Sequence, residues 1–208
     1  MTDSPRMPRR FWRAGLALAI VMIGVSGMGF ATSWTNFREV DEGRFYRSGQ
    51  LSDAQLMRVI DEYQIRTIIN LRGEDLGDEW YQRERAVARE RGVALVDVDL
   101  RAYRLPHKAE LIRLLDAYRD AERPILVHCF SGADRAGQAS AIYQLEYMGA
   151  SKQEALEMVS WRFLHLSLLR PAMRYFIERY RDEQWARSSY DPCRTDYRYY
   201  DREKFCNG

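Results

Sequence analysis

Between residues 37 and 185 the apolar positions switch between two periods, and the switching predicts the elements. "RFYRS" (44–48), "TIINL" (67–71), "VALVDVDL" (93–100) and "PILVHC" (124–129) are short and rich in β-branched or apolar residues, which predicts strands. "TIINL" and "PILVHC" are apolar almost throughout, the mark of strands buried on both faces. Between the strands the spacing becomes three and four. Leu56, Val59, Ile60 and Tyr63 share one helix face behind Ser52, where Gln55 completes a capping box. A charged helix is predicted from about Asp78 to Arg91, stopped by Gly92. Leu111, Leu114, Leu115 and Tyr118 mark another after Pro106. Three more are predicted: about 135–148 closed by Gly149, Ser151 to about Trp161 behind a Ser151/Glu154 capping box, and Pro171 to about Gln184. This alternation predicts an α/β domain with helices on both faces of a sheet.

Residues 1–36 follow another pattern. Arg6, Arg9, Arg10 and Arg13 precede an uncharged run from Ala14 to Ala31. That run is just long enough for a membrane-crossing helix and longer than a typical signal-peptide core. The arginines would stay cytoplasmic and send the rest of the chain outward. Gly29-Phe30-Ala31 also offers the small residues a signal peptidase needs, so an anchor and a cleaved signal are both open. Either way the main domain is expected outside the cytoplasm. The expected organisation is a basic stretch with anchor or signal over 1–36, the α/β domain over 37–185, and a Tyr-rich tail over 186–208.

Composition narrows the partners. Lys+Arg 32 against Asp+Glu 30 gives a net charge of +2, so no basic field points to nucleic acid. The tail carries Cys193 and Cys206, which in an oxidising compartment can close a small loop and leave Cys129 as the free thiol. Tyr190, Tyr197, Tyr199 and Tyr200 are expected to pack the tail onto the domain. His107, His128 and His165 show no ligand spacing, so neither a metal nor a cofactor is expected.

The chemistry concentrates in "PILVHCFSGADRAG" (124–137). A buried strand ends at His128-Cys129, a small-residue turn follows, and a helix begins near Arg135. Such a turn presents several backbone N–H groups to one point, backed by the positive end of the helix dipole. The same setting lowers a thiol's pKa from about 8.5. Gly132 lets the backbone approach a ligand, and Arg135 supplies a planar fork for two phosphate oxygens. The candidate nucleophile is Cys129, and His128, Phe130, Ser131, Gly132 and Ala133 are the candidate substrate-binding residues. The constellation reads as attack of sulfur on phosphorus through a cysteinyl-phosphate.

"HCFSGADRAG" resembles the signature of the cysteine-dependent tyrosine and dual-specificity phosphatases: His-Cys, five residues, then Arg. "FYRSGQ" (45–50) and "TIINLRGE" (67–74) resemble segments of the bacterial dual-specificity-like members. The resemblance covers roughly residues 37–180. It implies a central mixed, largely parallel sheet flanked by helices, and hydrolysis of phosphate monoesters on phosphotyrosine, phosphoserine/threonine or phosphoinositide. It also implies that His128 helps hold the cysteine as thiolate.

A general acid must protonate the leaving oxygen. Asp134, inside the loop, is the first candidate, because a loop ending Gly-x-Asp-Arg resembles a subgroup that includes myotubularins and some bacterial phosphatases. A phosphate dianion beside that carboxylate should raise its pKa. Asp99 is the alternative, with Asp97 near it; both fall within the predicted strand 93–100. Arg72 either reaches the substrate or forms a surface ion pair. Ala136 stands where many members carry a Ser or Thr that helps the thiolate leave, which keeps a catalytically slow phospho-binding module open. A rhodanese-like sulfurtransferase is the other alternative.

Overall fold

The structure, a computed structural model, describes residues 35–206. The predicted N-terminal anchor or signal lies outside the described residues, and among those described no helix is long and apolar enough to cross a membrane. Thr35–Gly208 forms one compact unit.

Five strands make one sheet: β1 (Arg38–Asp41), β2 (Phe45–Ser48), β3 (Thr67–Asn70), β4 (Ala94–Asp97) and β5 (Ile125–His128). Their order is β1-β2-β5-β3-β4. β1 pairs antiparallel with β2, and the other pairings are parallel. The expected mixed, largely parallel sheet is therefore present. Successive side chains point to opposite faces, and here both faces are buried. Phe45, Ile69, Ile125 and Val127 enter one apolar cluster, whereas Tyr46, Ile68 and Leu126 enter the other. Helices α1 (Asp53–Tyr63) and α2 (Glu79–Arg91) cover the second face through Leu56, Ile60, Val87 and Ala88. The first face is covered by α3 (Lys108–Asp120), α4 (Asp134–Tyr147), α5 (Lys152–Glu157), α6 (Pro171–Arg179) and α7 (Glu183–Ser188).

Both predicted capping boxes form. The Ser52 hydroxyl accepts from Gln55 N while Gln55 returns a bond to Ser52 N, and Ser151 and Glu154 do the same. Gly92 ends α2 with a left-handed φ of 65°, a conformation that costs glycine no Cβ clash.

Four elements depart from expectation. β1 has the polar sequence REVD and lies on the sheet edge, so its periodicity carries no buried face to detect. The strand predicted over 93–100 ends at Asp97, which leaves Asp99 in the segment beyond its carboxyl end. The helix expected from Ser151 to about Trp161 stops at Glu157 and gives way to a 3-10 turn at Trp161–Phe163. The helix expected from Pro171 to about Gln184 breaks at Tyr180, and Asp182 restarts it by accepting from Trp185 N.

The tail is built onto this frame. Tyr190 is buried in the first cluster and donates to Pro106 O at 2.7 Å. Tyr197 and Tyr200 pack at the cluster's edge. A short helix, α8 (Arg202–Phe205), places Cys206 in a disulfide with Cys193, and Cys129 is the free cysteine.

Candidate active site

β5 is the central strand, and the candidate loop runs from its carboxyl end to the start of α4. Carboxyl ends of parallel strands are where α/β sheets bind ligands, because loops from both sides leave a crevice there. Neighbouring strand ends clamp the loop. Cys129 N donates to Ser48 O at 3.3 Å, Gln50 N donates to Phe130 O at 3.0 Å, and Leu71 N donates to His128 O at 2.9 Å. Cys129 is buried beneath the loop.

Gly132 has a φ of +71°, and a Cβ there would lie 2.5 Å from Gly49 N and 2.7 Å from Ser48 C. Both the backbone conformation and the close approach require glycine. The approach is to the β2–α1 turn, so the neighbour that excludes a side chain is this protein's own backbone, where the sequence pointed to the ligand.

Arg135 lies in the first turn of α4 and donates through Nη1 to Leu71 O at 3.4 Å. Its Nε is buried with no protein acceptor among the described residues. The Ser131 hydroxyl accepts from Ala133 N at 3.4 Å and so is engaged within the loop itself. Ala136 is fully buried in the first cluster. Phe130 points outward, largely exposed.

His128 is buried, and its Nε2 lies 3.0 Å from Glu84 Oε1. Glu84 Oε2 accepts from Gln50 Nε2 at 2.7 Å, and Gln50 Oε1 accepts from Arg72 Nη1 at 2.9 Å. This chain fixes the His128 ring to α2, so its side chain is committed to a structural partner. Arg72 stacks on Trp80 with its guanidinium carbon 3.4 Å from the ring centroid. Partial burial and the neighbouring Arg135 charge lower its pKa. It forms a cation–π stack in place of the surface ion pair considered from sequence.

Three participants had no signal in the sequence reading. Arg47, in the middle of β2, is fully buried. It donates through Nη2 to Gly132 O at 2.6 Å and Ala133 O at 3.3 Å, and through Nη1 to Met158 O at 3.1 Å. Burial lowers its pKa to about 10, while the Cys129 charge opposes that shift. At neutral pH Arg47 is therefore a buried cation against the Gly132–Ala133 turn, well suited to stabilise a thiolate. Glu84 is the second, one of several acids in a helix of charges. The third is His165. Its Nδ1 sits 2.8 Å from Asp134 Oδ1, and Arg170 Nε lies 3.6 Å from Asp134 Oδ2.

The three aspartates are separated by their surroundings. Asp97 has both oxygens engaged, accepting from Asn70 Nδ2 at 2.8 Å and from Tyr81 OH at 2.5 Å. It is a strut between β3, β4 and α2. Asp99 bridges to Arg72 beside the loop, pairs with Arg101 at 2.8 Å and is partly exposed. Asp134 opens α4 and is held by His165 and Arg170.

The buried Cys129, the turn through Gly132 and the helix-borne Arg135 follow one another at the carboxyl end of β5. The family described as "DSP-PTPase phosphatase fused to NAD+ Kinase" matches residues 29–167. The chain belongs to this DSP-PTPase family. Its membership sets aside the sulfurtransferase alternative. The dual specificity protein phosphatase TpbA of Pseudomonas aeruginosa is 32% identical over 114 residues, which is 54% of this chain and 48% of TpbA. The chain thus matches about half the length of the curated relatives. The crystal structure of TpbA is similar with a TM-score of 0.56 and 25% identity, covering 74% of this chain and 89% of that one. The catalytic core of the S. cerevisiae PP-IP phosphatase SIW14 shares the fold, with a TM-score of 0.60, 22% identity and coverage of 73% and 89%.

Proposed function

We propose that this DSP-PTPase hydrolyses phosphate monoesters through a cysteinyl-phosphate, with Cys129 as nucleophile, Arg135 as phosphate fork and Asp134 as general acid. The observation that carries the reading is the loop itself: a buried Cys129 joined by a glycine-containing turn to the helix that bears Arg135. Cys129 Sγ attacks phosphorus as the ester P–O bond breaks, and Asp134 gives its proton to the leaving oxygen. Water then attacks the same phosphorus, its proton passes to Asp134, and the S–P bond breaks to release inorganic phosphate. The buried Arg47 cation supports the thiolate in both steps, and the free Nε of Arg135 suits a phosphate oxygen.

Cys129→Ser should abolish aryl phosphate hydrolysis without abolishing binding, and undiminished turnover would sink the mechanism. Arg135→Lys should cost roughly a hundredfold or more, since an ammonium lacks the two-pronged geometry. The acid is tested by leaving group. Asp134→Asn should slow phenyl phosphate strongly and an activated ester barely; that pattern in Asp99→Asn instead would move the acid to the segment after β4.

The substrate class follows from a phosphate-release panel. TpbA has been crystallised as a cysteine-to-serine variant with pTyr, and SIW14 is named a PP-IP phosphatase. Phosphotyrosine, phosphoserine/threonine, phosphoinositide and inositol phosphate are the arms to compare. A slow phospho-binding module is the second reading, favoured by Ala136, which is buried and has no hydroxyl to aid departure of the thiolate. A stoichiometric burst of leaving group followed by slow turnover would identify it.

The site is proposed to work outside the cytoplasm, carried by residues 1–36 as membrane anchor or cleaved signal. Four arginines before an uncharged run support that orientation, and the Cys193–Cys206 disulfide suits an oxidising compartment. A periplasmic-type reporter fused after residue 40 should be active and a cytoplasm-only reporter silent; the reverse result removes the argument.

A further inference from the structure

The segment from Ser160 to Arg170 inverts the usual sorting of side chains. His165 is 1% exposed, while Leu168 is 97%, Trp161 77% and Leu169 72% exposed, with Leu164 and Leu166 also turned outward. Single exposed leucines need no explanation, but a cluster of five large apolar side chains on one short loop does. The loop is not loose. Leu164 closes the 3-10 turn in a left-handed conformation, and Leu169 N and Arg170 N both donate to Leu166 O at 2.9 Å. Its polar members point inward to fixed partners, His165 to Asp134 and the Phe163 carbonyl to Asn36 Nδ2 at 2.9 Å. The leucines are thereby held out by a built turn at the border of the catalytic loop.

We propose that this loop is a membrane-docking surface, seated in the interfacial layer of the bilayer from which the chain emerges. Two observations select a lipid surface as the occupant. The first is charge: from Met158 to Ile177 the chain holds Arg162, Arg170 and Arg174 and no Asp or Glu, with Arg170 engaged by Asp134 and Tyr103 and Arg174 by Glu178. Four leucines and a tryptophan with Arg162 among them match the acyl–headgroup boundary of an anionic membrane. The second is chain connection. The uncharged run ends at Ala31, and only five positions later Asn36 bonds to this loop through Phe163 O and lies 3.5 Å from Ser131 O. Five positions of chain span at most about 18 Å, which bounds how far the end of the uncharged run can lie from Asn36. The inference rests on the proposed anchoring of residues 1–36 for its location, whereas the surface is made by the described domain.

Because Thr35–Gly208 is a separate compact unit containing the whole sheet and both apolar clusters, docking is testable without the anchor. The fragment 35–208 is centrifuged with vesicles of phosphatidylcholine containing phosphatidylglycerol, alone and as the double variant Leu168→Asp/Leu169→Asp. The same samples are assayed with a soluble aryl phosphate. The fragment should sediment with the vesicles, and the double variant should partition at least roughly tenfold more weakly. Aryl phosphate turnover should be the same in both. A fragment that stays in the supernatant overturns the proposal, as does a variant that binds undiminished. A dimer seen by sedimentation velocity and lost in the variant also overturns it, because the occupant is then a second copy. Vesicle binding without any turnover would sink the proposed phosphatase activity and leave docking standing.

Discussion

The two flanks of the catalytic loop are built on opposite rules. On one side His128, Glu84, Gln50 and Arg72 form a continuous polar chain reaching from β5 through α2 to the end of β3, its inner members buried and partnered. On the other side Trp161 to Leu169 put apolar side chains into the open. Buried polar groups are costly unless satisfied, so the bonds through His128 Nε2, Glu84 and Gln50 specify one geometry and resist change, while His128 Nδ1 is left without a partner among the described residues. Exposed leucines contribute almost nothing to the folded state. The contrast separates residues that shape the reacting centre from residues that are free to meet something outside it.

The comparison breaks most sharply at Arg47. Arg47→Met removes the Arg47 donor from the Gly132 carbonyl, leaves Ala133 O only its helical bond from Gly137 N, and removes the buried cation whose charge couples to Cys129. Turnover of an aryl phosphate should fall about a hundredfold, equivalent to about 2.7 kcal/mol in the barrier. The pH midpoint for alkylation of Cys129 should move up in the same variant; an unmoved midpoint would confine Arg47 to a packing role. Next comes Glu84→Ala, which strands His128 and Gln50 and should cost roughly 2 kcal/mol in urea unfolding. Glu84→Gln keeps a hydrogen-bonding shape and should cost less.

The tail supplies a smaller, pH-dependent effect. His107 Nδ1 lies 2.6 Å from Tyr200 OH, and its ring packs edge-on against Phe205. Burial and the Arg101 charge lower its pKa below the usual 6.5. The folded chain therefore favours neutral imidazole, and the unfolded chain takes up the proton first. Its contribution is complete above about pH 6.5 and is lost as pH falls through the depressed folded value. The drop in Tm between pH 7 and pH 5 should shrink in His107→Gln. Smallest of all is Leu168→Ser, expected to change unfolding free energy by less than about 0.5 kcal/mol. A larger loss would mean that the outer flank packs against the domain after all.

Local pattern carried the helix starts at Ser52 and Ser151, the strands β2, β3 and β5, and the strand–loop–helix around Cys129, because each depends on residues close in sequence. What stayed hidden depends on distant partners. Arg47 reads as an ordinary arginine until β2 lies beside β5. Glu84 is one of three acids in "EWYQRERAVARER", and only the position of His128 distinguishes it. His165 looks isolated because Asp134 is 31 positions away. Asp97 and Asp99 look equivalent in an alternating run, and the strand's end between them gives one to the frame and the other to the loops.

Arg47 and Gly132 are 85 positions apart, and their bond is part of what holds the catalytic loop in shape. Closing a loop of that length costs about 4 kcal/mol in chain entropy beyond the constant term. The loop and the helix that follows it are contiguous in sequence, but the bond from Arg47 to the loop exists only when β2 lies beside β5. Regain of turnover during refolding therefore reports a non-local pairing, that of β2 with β5, to which helix-sensitive spectroscopy is blind.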